Sequence, residues 1–178
     1  TRNKVFFTGT KLGEASHKNR MQCDTAPETN TWNFQSVIGG FMDIKWLPFQ
    51  KRINTTGALT FLEAERDVPF PIRRVYYIFD VEPGARRGYH AHKSLEQALI
   101  CVHGSCKILL DDGLEKNTVT LSDPSIGLYV GNAIWREMFD FSPDAVLLVL
   151  ASDYFEESDY IRDYEEYLKF LEQGGECQ

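Results

Sequence analysis

The chain reads as an all-β barrel or sandwich accompanied by one C-terminal amphipathic helix. Three observations point there. From Trp46 onward, short runs rich in β-branched and aromatic residues alternate with Gly, Pro and Asp turn clusters. Near Tyr160 the apolar period changes to a helical one. The 178 residues have a 43% hydrophobic content, which suits one globular domain with a substantial core.

Residues 1–45 differ from the rest and read as an N-terminal extension of unassigned role, a linker or a dimer arm. They are rich in Thr, Asn, Gly and Lys and carry no motif, and 17–31 is polar and irregular. The scattered Phe6, Phe7, Trp32, Phe34 and Phe41 imply packing rather than a disordered tail. The main domain is 46–178. Its first strand is expected over 58–63, after the turn Asn54-Thr55-Thr56-Gly57. The run 73–81 is dense in β-formers and ends at Glu82-Pro83-Gly84. Strands follow over 90–92 and 97–103, the latter stopping at Gly104. The strand 105–110 meets the hairpin signal Asp111-Asp112-Gly113, and 117–121 meets the turn Ser122-Asp123-Pro124. Strands over 127–130, 134–139 and 145–152 complete the series. Tyr160, Ile161, Tyr164, Tyr167, Leu168 and Leu171 then recur at helical spacing, with Asp159 and Asp163 early and Gly174-Gly175 at the end. The tyrosine stripe of this helix is expected to pack on the barrel rather than to meet a ligand.

The charge balance, 19 Lys and Arg against 26 Asp and Glu, gives −7 and argues against a nucleic-acid or anionic-membrane surface. An anionic small ligand needs only a few local arginines and is not excluded. The four cysteines, Cys23, Cys101, Cys106 and Cys177, form no C-x-x-C pair and read as free thiols of a reducing, cytoplasmic compartment. No secretory signal opens the sequence, and the apolar run 145–151 is too short to span a bilayer. The start at Thr1 fits a piece of a longer polypeptide.

The most informative stretch is Arg87-Gly88-Tyr89-His90-Ala91-His92-Lys93. On a strand, His90 and His92 point to the same face, where they are metal ligands, proton-transfer groups or simply satisfied core residues. The spacing Gly84-x5-His90-x-His92 resembles the first metal motif of cupin barrels, G-x5-H-x-H-x(3,4)-E-x6-G. The acidic position is here Gln97, followed by Gly104. Glu96 is adjacent, but strand parity turns it to the other face. The second-motif region, 127–138, holds Arg136 and no histidine. Two imidazoles make a poor divalent site, and a guanidinium repels a cation, so no metal and no other cofactor is expected. Arg74, Tyr76, Gln97 and Arg136 are polar residues on strands that should bury apolar side chains, which favours a ligand-filled lumen over two structural histidines. His17 and His103 carry no such signal, and His103 is expected to be partly exposed.

A longer ordered set of motifs then resembles the sugar 3,4-ketoisomerases of the cupin superfamily, over about residues 47–170. It comprises Arg73-Arg74-Val75-Tyr76-Tyr77-Ile78-Phe79-Asp80, the histidine stretch, Gln97-Ala98-Leu99-Ile100-Cys101, Leu109-Leu110-Asp111-Asp112-Gly113, Gly127-Leu128-Tyr129-Val130, Trp135-Arg136-Glu137-Met138, Leu150-Ala151-Ser152-Asp153-Tyr154 and Asp159-Tyr160-Ile161-Arg162. The resemblance implies a metal-independent jelly roll, a homodimer with exchanged strands and a dTDP-linked keto sugar as partner. It implies transfer of the keto group from C4 to C3 through an enediol, in deoxy-aminosugar biosynthesis such as that of lipopolysaccharide O-antigen. That chemistry needs a base of suitable pKa and donors for the developing enolate oxygen. His90 is expected as the base, His92 as its relay or a sugar-oxygen contact, and Tyr76 as a donor. Arg74 or Arg136 would hold the diphosphate or the oxyanion, with Arg87, Gln97 and Thr56 as further substrate-binding positions.

Two departures stand out. Many family members read D-x-R-G where this chain has Asn54-Thr55-Thr56-Gly57, so a sugar or phosphate contact is missing and the C4 configuration of the product is open. The extension 1–45 has no counterpart in short members, and some relatives are fused to an acetyltransferase domain. Two other readings compete. A cupin epimerase would need an Asp beside its His and an opposing Tyr, a set the sequence does not place. A silent sugar-nucleotide binding module would treat Thr56 as a mark of lost activity.

Overall fold

The computed structural model describes residues 45–175; all of the extension but its last residue, with His17 and Cys23, and residues 176–178, with Cys177, lie outside the described residues. Twelve strands, a short 3-10 helix and one α-helix follow in order: β1 (Trp46–Pro48), β2 (Lys51–Asn54), β3 (Gly57–Thr60), β4 (Arg74–Ile78), β5 (Arg87–His92), β6 (Gln97–His103), β7 (Cys106–Asp111), β8 (Lys116–Leu121), β9 (Ile126–Val130), β10 (Trp135–Phe139), β11 (Val146–Ala151), the 3-10 helix (Glu157–Asp159), β12 (Tyr160–Ile161) and α1 (Tyr164–Glu172). Two five-stranded antiparallel sheets face each other, ordered β1-β9-β6-β11-β4 and β12-β5-β10-β7-β8. The hairpin β2-β3 joins neither. This is the jelly-roll layout of a cupin barrel with a C-terminal helix, as expected.

Alternation along the strands sorts the side chains. Leu99, Cys101, Leu128, Val130, Leu147 and Val149 of the first sheet meet Cys106, Ile108, Leu110, Leu121 and Met138 of the second in the inter-sheet core. Their neighbours Ala98, Ile100, Tyr129 and Leu150 point outward and are covered by Phe49, Val68 and Phe70. Trp135, Ala91 and Ile161 on the outer face of the second sheet receive α1 through Tyr167, Tyr164 and Leu168. The Tyr167 hydroxyl sits between the carbonyls of Asp111 and Ala133, at 2.7 and 3.0 Å. Burying a side chain of this size stabilises by roughly 1.5–3 kcal/mol, so this ring is the main anchor of the helix.

The sequence expectation fails in several places. The strand expected over 58–63 is β3, which ends at Thr60, where its pairing with β2 runs out. The helix does not begin near Tyr160: Asp163 caps it, its carboxylate accepting from Glu166 N at 2.9 Å. Tyr160 and Ile161 instead form β12 against His92 and Ala91, because the ladder of β5 captures backbone that helical side-chain spacing alone would have assigned to α1. The short strands β1 and β2 were also missed, since three or four residues carry too little period to register. His103 is exposed, near Asp144, while Cys101 and Cys106 are buried free thiols, as expected. Among the described residues no helix is long and apolar enough to cross a membrane.

Candidate active site

The site is built on β5. Gly88 (φ +92°) and Tyr89 (φ +54°) form a left-handed kink opposite a register slip between Arg136 and Glu137. A Cβ on Gly88 would stand 2.6 Å from the Arg136 carbonyl oxygen, so only glycine fits. Beyond the kink the strand is regular. His90 faces Arg136 across one ladder, His92 faces Tyr160 across the other, and Ala91 turns out toward the helix.

The two imidazoles meet edge to face at 4.9 Å, and the Tyr160 ring packs on both, at 5.0 Å from His90 and 4.2 Å from His92. His92 Nδ1 contacts Asp159 Oδ2 at 2.8 Å. The other carboxylate oxygen of Asp159 accepts from Ser94 N at 2.9 Å and Ser94 Oγ at 2.8 Å. On the facing sheet Gln97 donates through Nε2 to Tyr76 Oη at 2.9 Å, which leaves the phenolic proton free to be donated elsewhere. The Arg74 guanidinium lies over the rings of Tyr76 and Phe155, at 5.5 and 5.6 Å. Arg136 is wholly buried and donates to the Gly131 carbonyl at 3.1 Å.

Burial, then the Arg136 cation, pushes His90 down to about 4, and the same two causes, with His90 itself, hold His92 well below the ordinary imidazole range. Both rings are therefore neutral at pH 7, with a lone pair each. Burial, then proximity to Tyr160, raises Tyr76 and keeps it a donor. Burial pulls Arg136 down to about 10, still a cation at neutral pH.

One observation ties the cluster together. Among the described residues, the buried side-chain nitrogens and oxygens without a protein partner are Arg74 Nε and Nη2, His90 Nδ1, His92 Nε2, Gln97 Oε1, and Arg136 Nε and Nη1. All belong to the same end of the lumen. Each such group costs about 1–3 kcal/mol unless something polar meets it, so the set marks a place shaped for a polar guest. Among the described residues no three His, Cys, Asp or Glu side chains converge as an ion would need. Arg136 stands at the second-motif position instead.

The structure thus gathers Arg74, Tyr76, His90, His92, Gln97 and Arg136. It does not bring in Arg87 or Thr56. Arg87 is exposed at the start of β5, level with Met138. Thr56 is exposed in the β2-β3 turn, its N and Oγ1 both donating to Asn54 Oδ1, at 2.9 and 2.7 Å. Glu96 faces away and accepts from Tyr129 Oη, as parity requires. Sequence reasoning missed Tyr160, placed in a helix, and Asp159, read as a helix-start acid. The pairing of a carboxylate with a barrel histidine, which the sequence did not place, is present at Asp159. Only the Asp159-Tyr160-Ile161-Arg162 motif flagged this segment.

A two-sheet barrel whose lumen carries neutral imidazoles, a phenol and two guanidiniums defines the protein's class as a cupin-type barrel. Comparison with known proteins narrows it. The family model described as FdtA, WxcM-like, C-terminal, matches residues 42–172. The TDP-4-oxo-6-deoxy-alpha-D-glucose-3,4-oxoisomerase of Aneurinibacillus thermoaerophilus is 51% identical over 130 residues, 73% of this chain and 94% of that protein. The 3,4-ketoisomerase QdtA of Thermoanaerobacterium thermosaccharolyticum was crystallised as a histidine-to-asparagine mutant in complex with TDP-4-keto-6-deoxyglucose. It is 46% identical with a TM-score of 0.72, covering 74% of this chain and 95% of that one. A 3,4-ketoisomerase from Helicobacter canadensis is 49% identical with a TM-score of 0.72, covering 74% of this chain and 98% of the other. The chain belongs to the FdtA family of WxcM-like proteins.

Proposed function

We propose that this chain isomerises a TDP-linked 4-keto-6-deoxyhexose to the 3-keto sugar through an enediol. The observation that carries the reading is the set of partnerless polar atoms on Arg74, His90, His92, Gln97 and Arg136 at one end of the barrel. The relatives' reaction supports it. In this mechanism neutral His90 removes the C3 proton, made acidic by the C4 carbonyl, and the electron pair moves to O4. Arg136, Arg74 and the Tyr76 hydroxyl are donors for that oxyanion. Protonation of O4 gives the enediol, and loss of the O3 proton with protonation at C4 then leaves the ketone at C3 and a hydroxyl at C4. The imidazoles and the substrate exchange the protons among themselves, so no oxidant or reductant is required.

The reaction is read as independent of metal, because the donors left unpaired include four guanidinium nitrogens, which repel a cation. The protein is read as a homodimer. The β2-β3 hairpin exposes Ile53 and Leu59, the edge strand β4 exposes Val75 and Tyr77, and Phe79 just beyond it is exposed too. A second copy of the chain is the partner that would cover them.

Incubation with dTDP-4-keto-6-deoxyglucose in deuterated water, followed by NMR, tests the reading. The expected product is the 3-keto sugar with deuterium at C4, unchanged after exhaustive chelation and absent with His90→Asn, which keeps affinity for TDP. Exchange at C3 or C5 with the 4-keto group retained would mean an epimerase, and binding without exchange a silent module. Activity restored only by a divalent ion would remove the metal-independent reading.

A further inference from the structure

Two imidazoles face the lumen, yet among the described residues a carboxylate holds only one. His92 Nδ1 meets Asp159 Oδ2 at 2.8 Å, while its Nε2 is buried without a protein partner. A carboxylate only accepts, so the hydrogen of this contact belongs to the ring. That makes His92 the Nδ1–H tautomer and directs an Nε2 lone pair into the lumen. Asp159 is itself fixed. Ser94 donates to its second oxygen from both backbone and side chain, at 2.9 and 2.8 Å. Its carbonyl accepts from Lys93 N at 2.9 Å, and the next two residues pair with His92 and Ala91 as β12. Three hydrogen bonds thus hold the carboxylate in place, and one of them orients the imidazole.

We propose that Asp159, clamped by Ser94, is the positioning residue that sets the tautomer of His92 and so presents Nε2 as a proton acceptor to the substrate. The inference rests on the isomerase reading for its kinetic consequence, but not for the tautomer. Asn at this position should reverse the ring. Its carbonyl oxygen would take the Ser94 donors, its NH2 would point at Nδ1, and the imidazole would carry its hydrogen on Nε2, facing the substrate with a donor where an acceptor is needed. The side chain is nearly isosteric, so packing and substrate affinity should stay close to wild type.

The test uses the full chain labelled with nitrogen-15 at histidine. The wild type should show His92 as Nδ1–H, and Asp159→Asn should show it as Nε2–H. In the same variant kcat should fall by about a hundredfold or more with KM and TDP affinity changed less than about threefold. Asp159→Glu, which keeps a carboxylate, should recover part of kcat, and should do so even if the Asn variant folds poorly. A wild-type His92 protonated on Nε2, or an Asp159→Asn enzyme with unaltered kcat, would overturn the proposal. Should the wild type isomerise nothing, the functional reading falls, and the tautomer spectra still decide this one.

Discussion

The sharpest chemical consequence at the residue scale concerns His90. Its pKa is pushed down to about 4 by burial, then by the Arg136 cation, opposed by the Gly88 backbone, with Arg162 adding to the effect and Glu157 opposing it more weakly. The neutral ring is the competent base, so the acid limb of kcat/KM, which reports the free enzyme, should fall near pH 4. A limb at 6.5 or above in a rate profile would remove His90 as the base. The same shift bears on folding. A folded-state value below the ordinary 6.5 means the contribution is complete above about pH 6.5 and is lost as pH falls through about 4. Acid titration of stability should therefore be shallower in His90→Asn than in the wild type. The inward direction of His90 and His92 was legible in the sequence because side-chain parity is a local property of a strand. Their partners were not: Asp159 lies 67 residues from His92 in the chain and reaches it only through the β12 ladder.

Within the elements, the kink in β5 does most to shape the site. Gly88 adopts φ +92° and passes so close to β10 that a Cβ would stand 2.6 Å from the Arg136 carbonyl. Gly88→Ala should cost about 1–3 kcal/mol in backbone strain alone. It should also lower kcat, because the clash falls on the backbone of Arg136 and Glu137, and Arg136 faces His90 across the ladder. Thermal denaturation together with turnover would check this, and a variant with unaltered Tm and kcat would show that the close approach is not needed. The strand β6 matched its expected span because Gly104 and the apolar run bound it sharply. The boundary between β12 and α1 was misread for a definable reason. Tyr160 and Tyr164 stand four residues apart, as on a helix, yet the first packs on the histidines and the second on Trp135.

For the whole molecule, the lumen is sorted along its length: Cys101, Cys106, Ile108 and Met138 fill one part with apolar atoms, and the polar cluster occupies another. The surface carries a second signal. Ile53 is 73% exposed on a hairpin that belongs to neither sheet, and Tyr77 is 61% exposed beside the unpaired edge of β4. If these faces meet in a homodimer, light scattering should give twice the mass of one chain, and Ile53→Asp combined with Tyr77→Asp should shift it toward the monomer. A wild-type mass of one chain would end the dimer reading. Such pairing would also give Thr56, exposed in the turn of that hairpin, a partner surface that a single chain lacks.

Period-two alternation with Gly and Pro punctuation was enough to indicate a sandwich or barrel with inward histidines, a phenol and two guanidiniums, because each is written within a few consecutive residues, and the cupin assignment came from the resemblance of the G-x5-H-x-H spacing to that family's motif. Which carboxylate holds His92, which tyrosine packs on both rings, and that Arg87 and Thr56 stay on the surface depend on register between strands far apart in the chain. Register is set when the two sheets close on a shared core, and no local run of residues encodes it.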